Sequence, residues 1–248
     1  MIEIKNSQQL ALMKEAGRIT GEALYKAGEA VKPGISTKKL DDIVRHHIEK
    51  CGAVPSFLGY GGFPGSICAS VNEEVVHGIP SKTKILREGD IVGIDVGAYL
   101  DGFHADAALT IPVGKVASEA QRLLEQTQKS LNKAIELVKP GIHLGDISNM
   151  VETYATAGKL GIVRDYCGHG VGRKLHEEPC VLNYGPKGKG PILREGMVLA
   201  IEPMLNLGGD EVEVLDNDWT VVTKDGSYSA HFEHSVAVTE NGHIILTA

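Results

Sequence analysis

Residues 86–95 read Leu-Arg-Glu-Gly-Asp-Ile-Val-Gly-Ile-Asp, and residues 193–202 read Leu-Arg-Glu-Gly-Met-Val-Leu-Ala-Ile-Glu. The first four letters are identical. Each stretch then runs through a short apolar strand into a carboxylate, Asp95 in one and Glu202 in the other. Upstream, Val31-Lys-Pro-Gly-Ile35 recurs letter for letter as Val138-Lys-Pro-Gly-Ile142. Both pairs share an offset of 107 positions (193 − 86 and 138 − 31), which independent coincidences would not. Two copies are too few for a solenoid, which needs at least three. The repeat predicts two similar halves, about 1–113 and 114–248, packed about a pseudo-twofold axis within a single domain spanning 1–248.

The halves also share an order of elements. A helix comes first, over about 7–30 and again over about 118–138, with charges interleaved among Ala, Leu and Ile. Lys-Pro-Gly ends it, because proline cannot continue a helix and glycine tolerates the turn. Ser36 or Thr37 can cap a second helix that runs to about Lys50 and stops at Gly52; its counterpart spans about Asp146 to Ala157. Strand-rich sequence follows in both halves. This is an α+β pattern, with antiparallel strands inside and helices outside.

Length and composition bound the function. With 42% hydrophobic and 23% charged residues, the 248-residue chain is an ordinary globular protein with a sizeable core. A net charge of −7 argues against nucleic-acid recognition, which needs Lys and Arg for phosphates. No run approaches the roughly 18 apolar residues of a membrane span. The first residues carry charge and no apolar signal core, so a cytoplasmic protein is expected. Cysteines 51, 68, 167 and 180 form no Cys-x-x-Cys pair, and all four are read as reduced thiols.

Residues 91–113 predict a hairpin that turns at Asp101-Gly102. A turn centred between 100 and 101 sets Asp95 directly across from Asp106. A turn centred one residue later makes them diagonal neighbours on one face. Either way both carboxylates enter one space, where they would repel each other unless one is protonated, both are solvated, or a cation lies between them. Three further residues favour the cation. Glu202 is the repeat counterpart of Asp95. Glu233 lies in a strand pattern, His231-Phe-Glu-His-Ser. His169 sits in Cys167-Gly-His-Gly, where glycines would let the backbone turn sharply. Four carboxylates and an imidazole suit a pair of divalent ions such as Mn, Fe, Co or Zn.

In this order and spacing, Asp95, Asp106, His169, Glu202 in Ile-Glu-Pro-Met and Glu233 in Phe-Glu-His resemble the metal ligands of methionine aminopeptidases. Asn72-Glu-Glu-Val-Val-His-Gly-Ile-Pro80 and His176-Glu-Glu-Pro179 match as well. The resemblance covers nearly the whole chain and is to the bacterial type I form of peptidase family M24. The chain is expected to lack the helical insertion of type II enzymes and the zinc-binding extension of long eukaryotic forms.

The resemblance implies the pita-bread fold of creatinases and aminopeptidases. It implies removal of the initiator methionine from nascent proteins with a small second residue, a metal-activated water being the nucleophile. Asp106 and Glu233 would bridge two metals, Asp95 would hold one, and His169 with Glu202 the other. Glu202 would be the general base, His176 would bind the substrate carbonyl, and His77 would act at the scissile amide. The methionine pocket would comprise Tyr60, Phe63, Cys68, Leu175 and Trp219, with Phe57 nearby and His77 and His176 completing the substrate site. Gly59-Tyr-Gly-Gly-Phe63 carries glycine and phenylalanine where relatives often have histidine and tyrosine, and Leu175 stands where phenylalanine is frequent. A monovalent-cation site at the backbone near Asn72 and Ser229, contact with the ribosome and a monomeric state are further implications.

Of the other histidines, His231 and His234 are expected to be structural or to support the ligands. His104 shares a strand face with Asp106, and His46, His47, His143 and His243 are expected at the surface. Other readings are a proline-directed aminopeptidase or dipeptidase of the same fold, a peptide-binding module without catalysis, and a two-metal phosphoesterase. The first is disfavoured because such enzymes carry a large preceding domain, the second because all five ligands are present, and the third because of the duplication and the apolar pocket.

Overall fold

The computed structural model describes residues 1–248. The helices are α1 (Ser7–Ala30), α2 (Thr37–Lys50), α3 (Ser118–Glu136) and α4 (Leu144–Ala157). First-half strands are β1 (Val54–Pro55), β2 (Ile67–Val71), β3 (Glu74–Val76), β4 (Ile91–Leu100) and β5 (Phe103–Pro112). Those of the second half are β6 (Gly161–Ile162), β7 (Gly168–Gly170), β8 (Glu177–Val181), β9 (Val198–Ile201), β10 (Met204–Asn206), β11 (Val212–Val214), β12 (Val221–Thr223), β13 (Ser229–His231), β14 (His234–Thr239) and β15 (Gly242–Ile245). Ser36 caps α2 by accepting from the Lys39 amide, as its sequence position predicts. The helix expected from about Asp146 begins earlier, at Leu144, because Asp146 reaches back to the His143 amide as the third residue of a capping box.

The sequence repeat is also a repeat of hydrogen bonds. The Gly34 amide donates to the Leu86 carbonyl (2.8 Å), and the Gly141 amide to that of Leu193 (3.0 Å). The Leu86 amide donates to Ile35 and the Leu193 amide to Ile142, each at 2.8 Å. Bridges Ser36–Ile85 and His143–Ile192 follow at the same offset. Gly34 and Gly141 adopt φ of 89° and 90°, a left-handed conformation that explains why glycine recurs after Lys-Pro. In each half, therefore, the break after the first helix is stitched to the turn before the carboxylate-bearing strand.

All strand pairings are antiparallel. In the first half β4 is central, flanked by β2, β1 and β5. The second half's main sheet runs β15-β14-β9-β7-β8. Each half has its own core. One gathers Ile19, Leu40, Val44, Ile48, Ile67, Ile94 and neighbours under α1 and α2; the other gathers Leu123, Leu131, Ile147, Leu199, Ile201 and neighbours under α3 and α4.

A seam joins the halves where β5 meets the segment between β13 and β14. The Glu233 amide donates to the Ala108 carbonyl (2.9 Å), and the Ala108 amide to that of Glu233 (3.4 Å). Two buried hydroxyls clasp either side. Thr110 Oγ1 donates to the His231 carbonyl and accepts from its amide (2.8 and 2.9 Å). Ser235 Oγ does the same for Asp106 (2.8 and 2.9 Å).

Helix α1 crosses the last residues of the chain so closely that a Cβ at Gly17 would overlap the Leu246 carbonyl oxygen. By helix propensity alone, Gly17→Ala would stabilise α1 by about 1 kcal/mol. The backbone contact reverses the sign, and the substitution should cost about 1–3 kcal/mol. A denaturant titration checks this; an unchanged or higher midpoint would mean that α1 can move away from Leu246.

Candidate functional site

A cavity of ≈ 350 Å³ lies at the seam, and every residue singled out above for ligation, catalysis or the methionine pocket lines it. The hairpin places the first two ligands. Its turn is centred at Asp101-Gly102, both with positive φ (48° and 89°), which is the two-residue turn that matches strand twist. Asp95 therefore pairs with Ala108 and Asp106 with Gly97, so the carboxylates are diagonal neighbours on one face and not directly opposed. The seam then carries Glu233 against Asp106.

His169 arrives on β7, beside β9, which leads into Glu202. Its flanking glycines do not make the sharp turn expected from sequence. Gly168 and Gly170 are extended, and a Cβ on either would overlap a neighbouring strand's carbonyl, Ala200 for one and Glu178 for the other. They permit close strand approach. His169 Nε2 lies 3.5 Å from Glu202 Oε1 and 4.0 Å from Asp106 Oδ2, and the ligand atoms of Asp106, His169 and Glu233 all fall within 4.8 Å of one another.

Asp95 Oδ1, Asp106 Oδ1 and Glu233 Oε1 are buried with no hydrogen-bond partner. Unpaired buried carboxylate oxygens are costly, and several converging on one space are what a divalent cation would satisfy. The oxygen and imidazole donors fit hard-to-borderline ions. Burial, first, pushes all three acids upward: Asp95 to about 6, with His231 pulling it down against burial and Glu202, and Asp106 and Glu233 well above the ordinary range, where neighbouring carboxylates add to burial.

The imidazoles behave oppositely. His176 is lowered to about 4 by burial and then by His169 beside it, and His77 is lowered by burial. Both are thus neutral near pH 7. Tyr60 Oη lies 2.8 Å from His176 Nδ1. Glu177, next to His176, is held by buried Lys5 (Nζ–Oε2 2.5 Å). His77 has a left-handed backbone (φ 59°) and stands edge-on to Tyr166 and Trp219, at 5.7 and 6.5 Å between ring centroids. Phe57, Phe63, Cys68 and Leu175 form one buried apolar cluster, with Trp219 against it, edge to Phe63 at 5.1 Å.

His231, expected to be structural or to support the ligands, lies beside Glu202. His231 Nε2 is 3.4 Å from Glu202 Oε2. Burial opposes charge on His231, but Glu202 and Asp95 outweigh it and raise the imidazole. Asp165 and Tyr166 also line the cavity, and only adjacence to Cys167-Gly-His could have flagged them; Val76 and Met204, inside the Asn72–Pro80 and Ile-Glu-Pro-Met segments, line it too.

Other expectations are corrected. Cys167 and Cys180 are not free thiols; they are joined as a disulfide, with Cα atoms 6.2 Å apart, because antiparallel pairing of β7 with β8 brings together cysteines 13 positions apart. Cys51 and Cys68 are free. His104 does not line the cavity and instead meets Ser56 Oγ through Nδ1 (2.9 Å). His143 and His243 are half-buried against the Gly190 and Val138 carbonyls, and His47 is half-buried between helices; His46 is exposed. His234 meets Thr247 Oγ1 (2.9 Å) away from the cavity. The Asn72 carbonyl accepts from the Ser229 amide (2.8 Å), so the chain brings those two positions together.

Asp95 keeps its proton up to about pH 6 in the folded apo protein, against 3.8 as an ordinary aspartate. Between those values the folded state binds more protons than the unfolded state, so stability is lost as pH rises. Asp95→Asn removes that loss. In apo protein, its melting temperature relative to wild type should climb by about 5 °C between about pH 4 and about pH 7. A flat difference in calorimetry would show that burial does not hold the proton on Asp95.

Residues 11–240 match the model of metallopeptidase family M24. Methionine aminopeptidase 1 of Bacillus subtilis is 52% identical over 247 residues, covering 100% of this chain and 99% of that protein. The methionine aminopeptidase structure from Thermotoga maritima superposes with a TM-score of 0.98 at 46% identity, over 100% of this chain and 99% of that one. Prolidase from Pyrococcus furiosus gives a TM-score of 0.80 at 25% identity, and only 65% of its chain is covered. The fold is therefore the pita-bread fold, and the chain belongs to metallopeptidase family M24, within its methionine aminopeptidases.

Proposed function

We propose that this protein hydrolyses the first peptide bond of nascent chains to release the initiator methionine, with Asp95, Asp106, His169, Glu202 and Glu233 holding two divalent ions drawn from Co, Mn, Fe or Zn. The observation that carries the reading is the opening of an apolar, sulfur-bearing pocket directly onto a cluster of buried, unpaired carboxylates. The pocket suits a flexible thioether. When bound, the ions would acidify water and stabilise charge on the carbonyl oxygen.

The remaining work falls to the chain's own groups. Glu202 accepts the proton of the attacking water as general base. Its carboxylate lies beside the His231 imidazole, Nε2 to Oε2 3.4 Å. His176 is neutral, and a hydrogen bond donated by the Tyr60 hydroxyl to its Nδ1 leaves Nε2–H to donate to the substrate carbonyl. His77, also neutral, relays to the departing amide nitrogen the proton that Glu202 has taken from water, accepting it on one ring nitrogen as it donates from the other. Tyr60, Phe63, Cys68, Leu175 and Trp219 bind the methionine side chain, and the second residue is a small one. Backbone groups at Asn72 and Ser229 hold a monovalent cation. Work on nascent chains implies a cytoplasmic monomer that meets the ribosome. No helix is long and apolar enough to cross a membrane.

Free methionine released from Met-Ala-Ser, by apo protein titrated with Mn, Co, Fe and Zn, tests the reading. Metal-dependent release is expected, and Glu202→Ala should reduce kcat at least about 100-fold. Metal uptake without release from Met-Ala-Ser, with cleavage of Xaa-Pro peptides instead, would overturn the specificity. Failure to take up metal would overturn the chemistry.

A further inference from the structure

Away from the cavity, α1 and α2 bring together three side chains of ligating type. His47 and Cys51 lie one turn apart on the same face at the end of α2, and Glu22 faces them from α1. His47 Nε2 stands 3.3 Å from Glu22 Oε2 and 3.7 Å from Cys51 Sγ. The His47 side chain is 12% exposed, and the recess between the helices opens to solvent.

One ring nitrogen cannot satisfy both neighbours. If Nε2 carries a proton it can donate to Glu22, and the thiol then has no acceptor there. If Nε2 accepts from the thiol, its lone pair leaves the carboxylate without a donor. The separation from Glu22 also exceeds the usual N–H···O distance of about 2.9–3.0 Å. A tetrahedral ion fits these spacings. Bonds of about 2.0–2.1 Å to nitrogen, 2.0–2.2 Å to oxygen and 2.3 Å to sulfur put N and O about 3.4 Å apart and N and S about 3.6 Å apart. Arg18 binds Glu22 Oε1, which fixes the carboxylate and leaves Oε2 facing His47. Lys26 and Lys50 border the recess and disfavour a cation held by charge alone. A thiolate ligand selects a softer ion.

We propose that Glu22, His47 and Cys51 form a second metal site, separate from the catalytic centre, that takes a divalent ion of the zinc or cobalt type with water as fourth ligand. Binding displaces the thiol proton to solvent and ties α1 to α2.

Cobalt is a direct probe, because thiolate ligation produces a near-ultraviolet sulfur-to-cobalt charge-transfer band that the oxygen and imidazole ligands of the catalytic centre cannot. Wild-type protein saturated with Co should show the band. Cys51→Ser and His47→Ala should lose it while still hydrolysing Met-Ala-Ser, which shows that they fold. Cys68→Ser should keep it, since Cys68 borders the cavity and is the competing thiol. Zinc analysis after gel filtration should find one ion fewer per chain in Cys51→Ser than in wild type. No band in wild type, a band that survives Cys51→Ser, or equal zinc contents would each overturn the proposal.

Discussion

Asp106 and Glu233 lie 127 positions apart in the sequence (233 − 106), and a pair of reciprocal backbone hydrogen bonds between Ala108 and Glu233 brings them together. The seam's energetics are unusual. Amide bonds and the hydroxyls of Thr110 and Ser235 hold the halves together, while the acids they position repel each other. A buried cluster of carboxylates cannot stabilise a fold by itself. It persists because two apolar cores, one in each half, offset its cost, and because a cation can supply the missing charge.

The rest of the site follows from that constraint. Once the carboxylates converge, β7 must come close enough to bring His169 in, and Gly168 and Gly170 permit it. Glu202 enters the same space with His231 beside it. Burial keeps the flanking imidazoles of His77 and His176 uncharged. Lys5 reaches across the molecule to hold Glu177 beside His176, so even the segment before α1 takes part in placing a site side chain.

Much of this was readable in the sequence, for identifiable reasons. The repeat at 107 positions exposed the duplication because it preserved residues whose backbone conformation is demanding, Gly34 and Gly141 among them. Helix limits followed from Ser36 and the Lys-Pro-Gly breaks. The hairpin register was left between two choices, since an Asp-Gly pair announces a turn without saying which positions are central. What escaped was information carried by tertiary pairing alone. Cys167 meets Cys180 through strands whose register no local pattern records. The partner of His231, Glu202, is likewise set by the meeting of separate segments. The glycines around His169 were noticed for their freedom to turn, whereas their missing side chains are what the packing uses.

The division of ligands between halves has a mechanical consequence. Asp95 and Asp106 belong to the first half; His169, Glu202 and Glu233 belong to the second. An ion seated among them would be a rivet through a lap joint that is already glued, since apolar clusters and the β3–β12 pairing also span the halves, and it would offset the like charges facing each other there. Opening of the joint and loss of the ion would then be linked, so that the centre of the protein would stiffen as the free ion becomes more abundant.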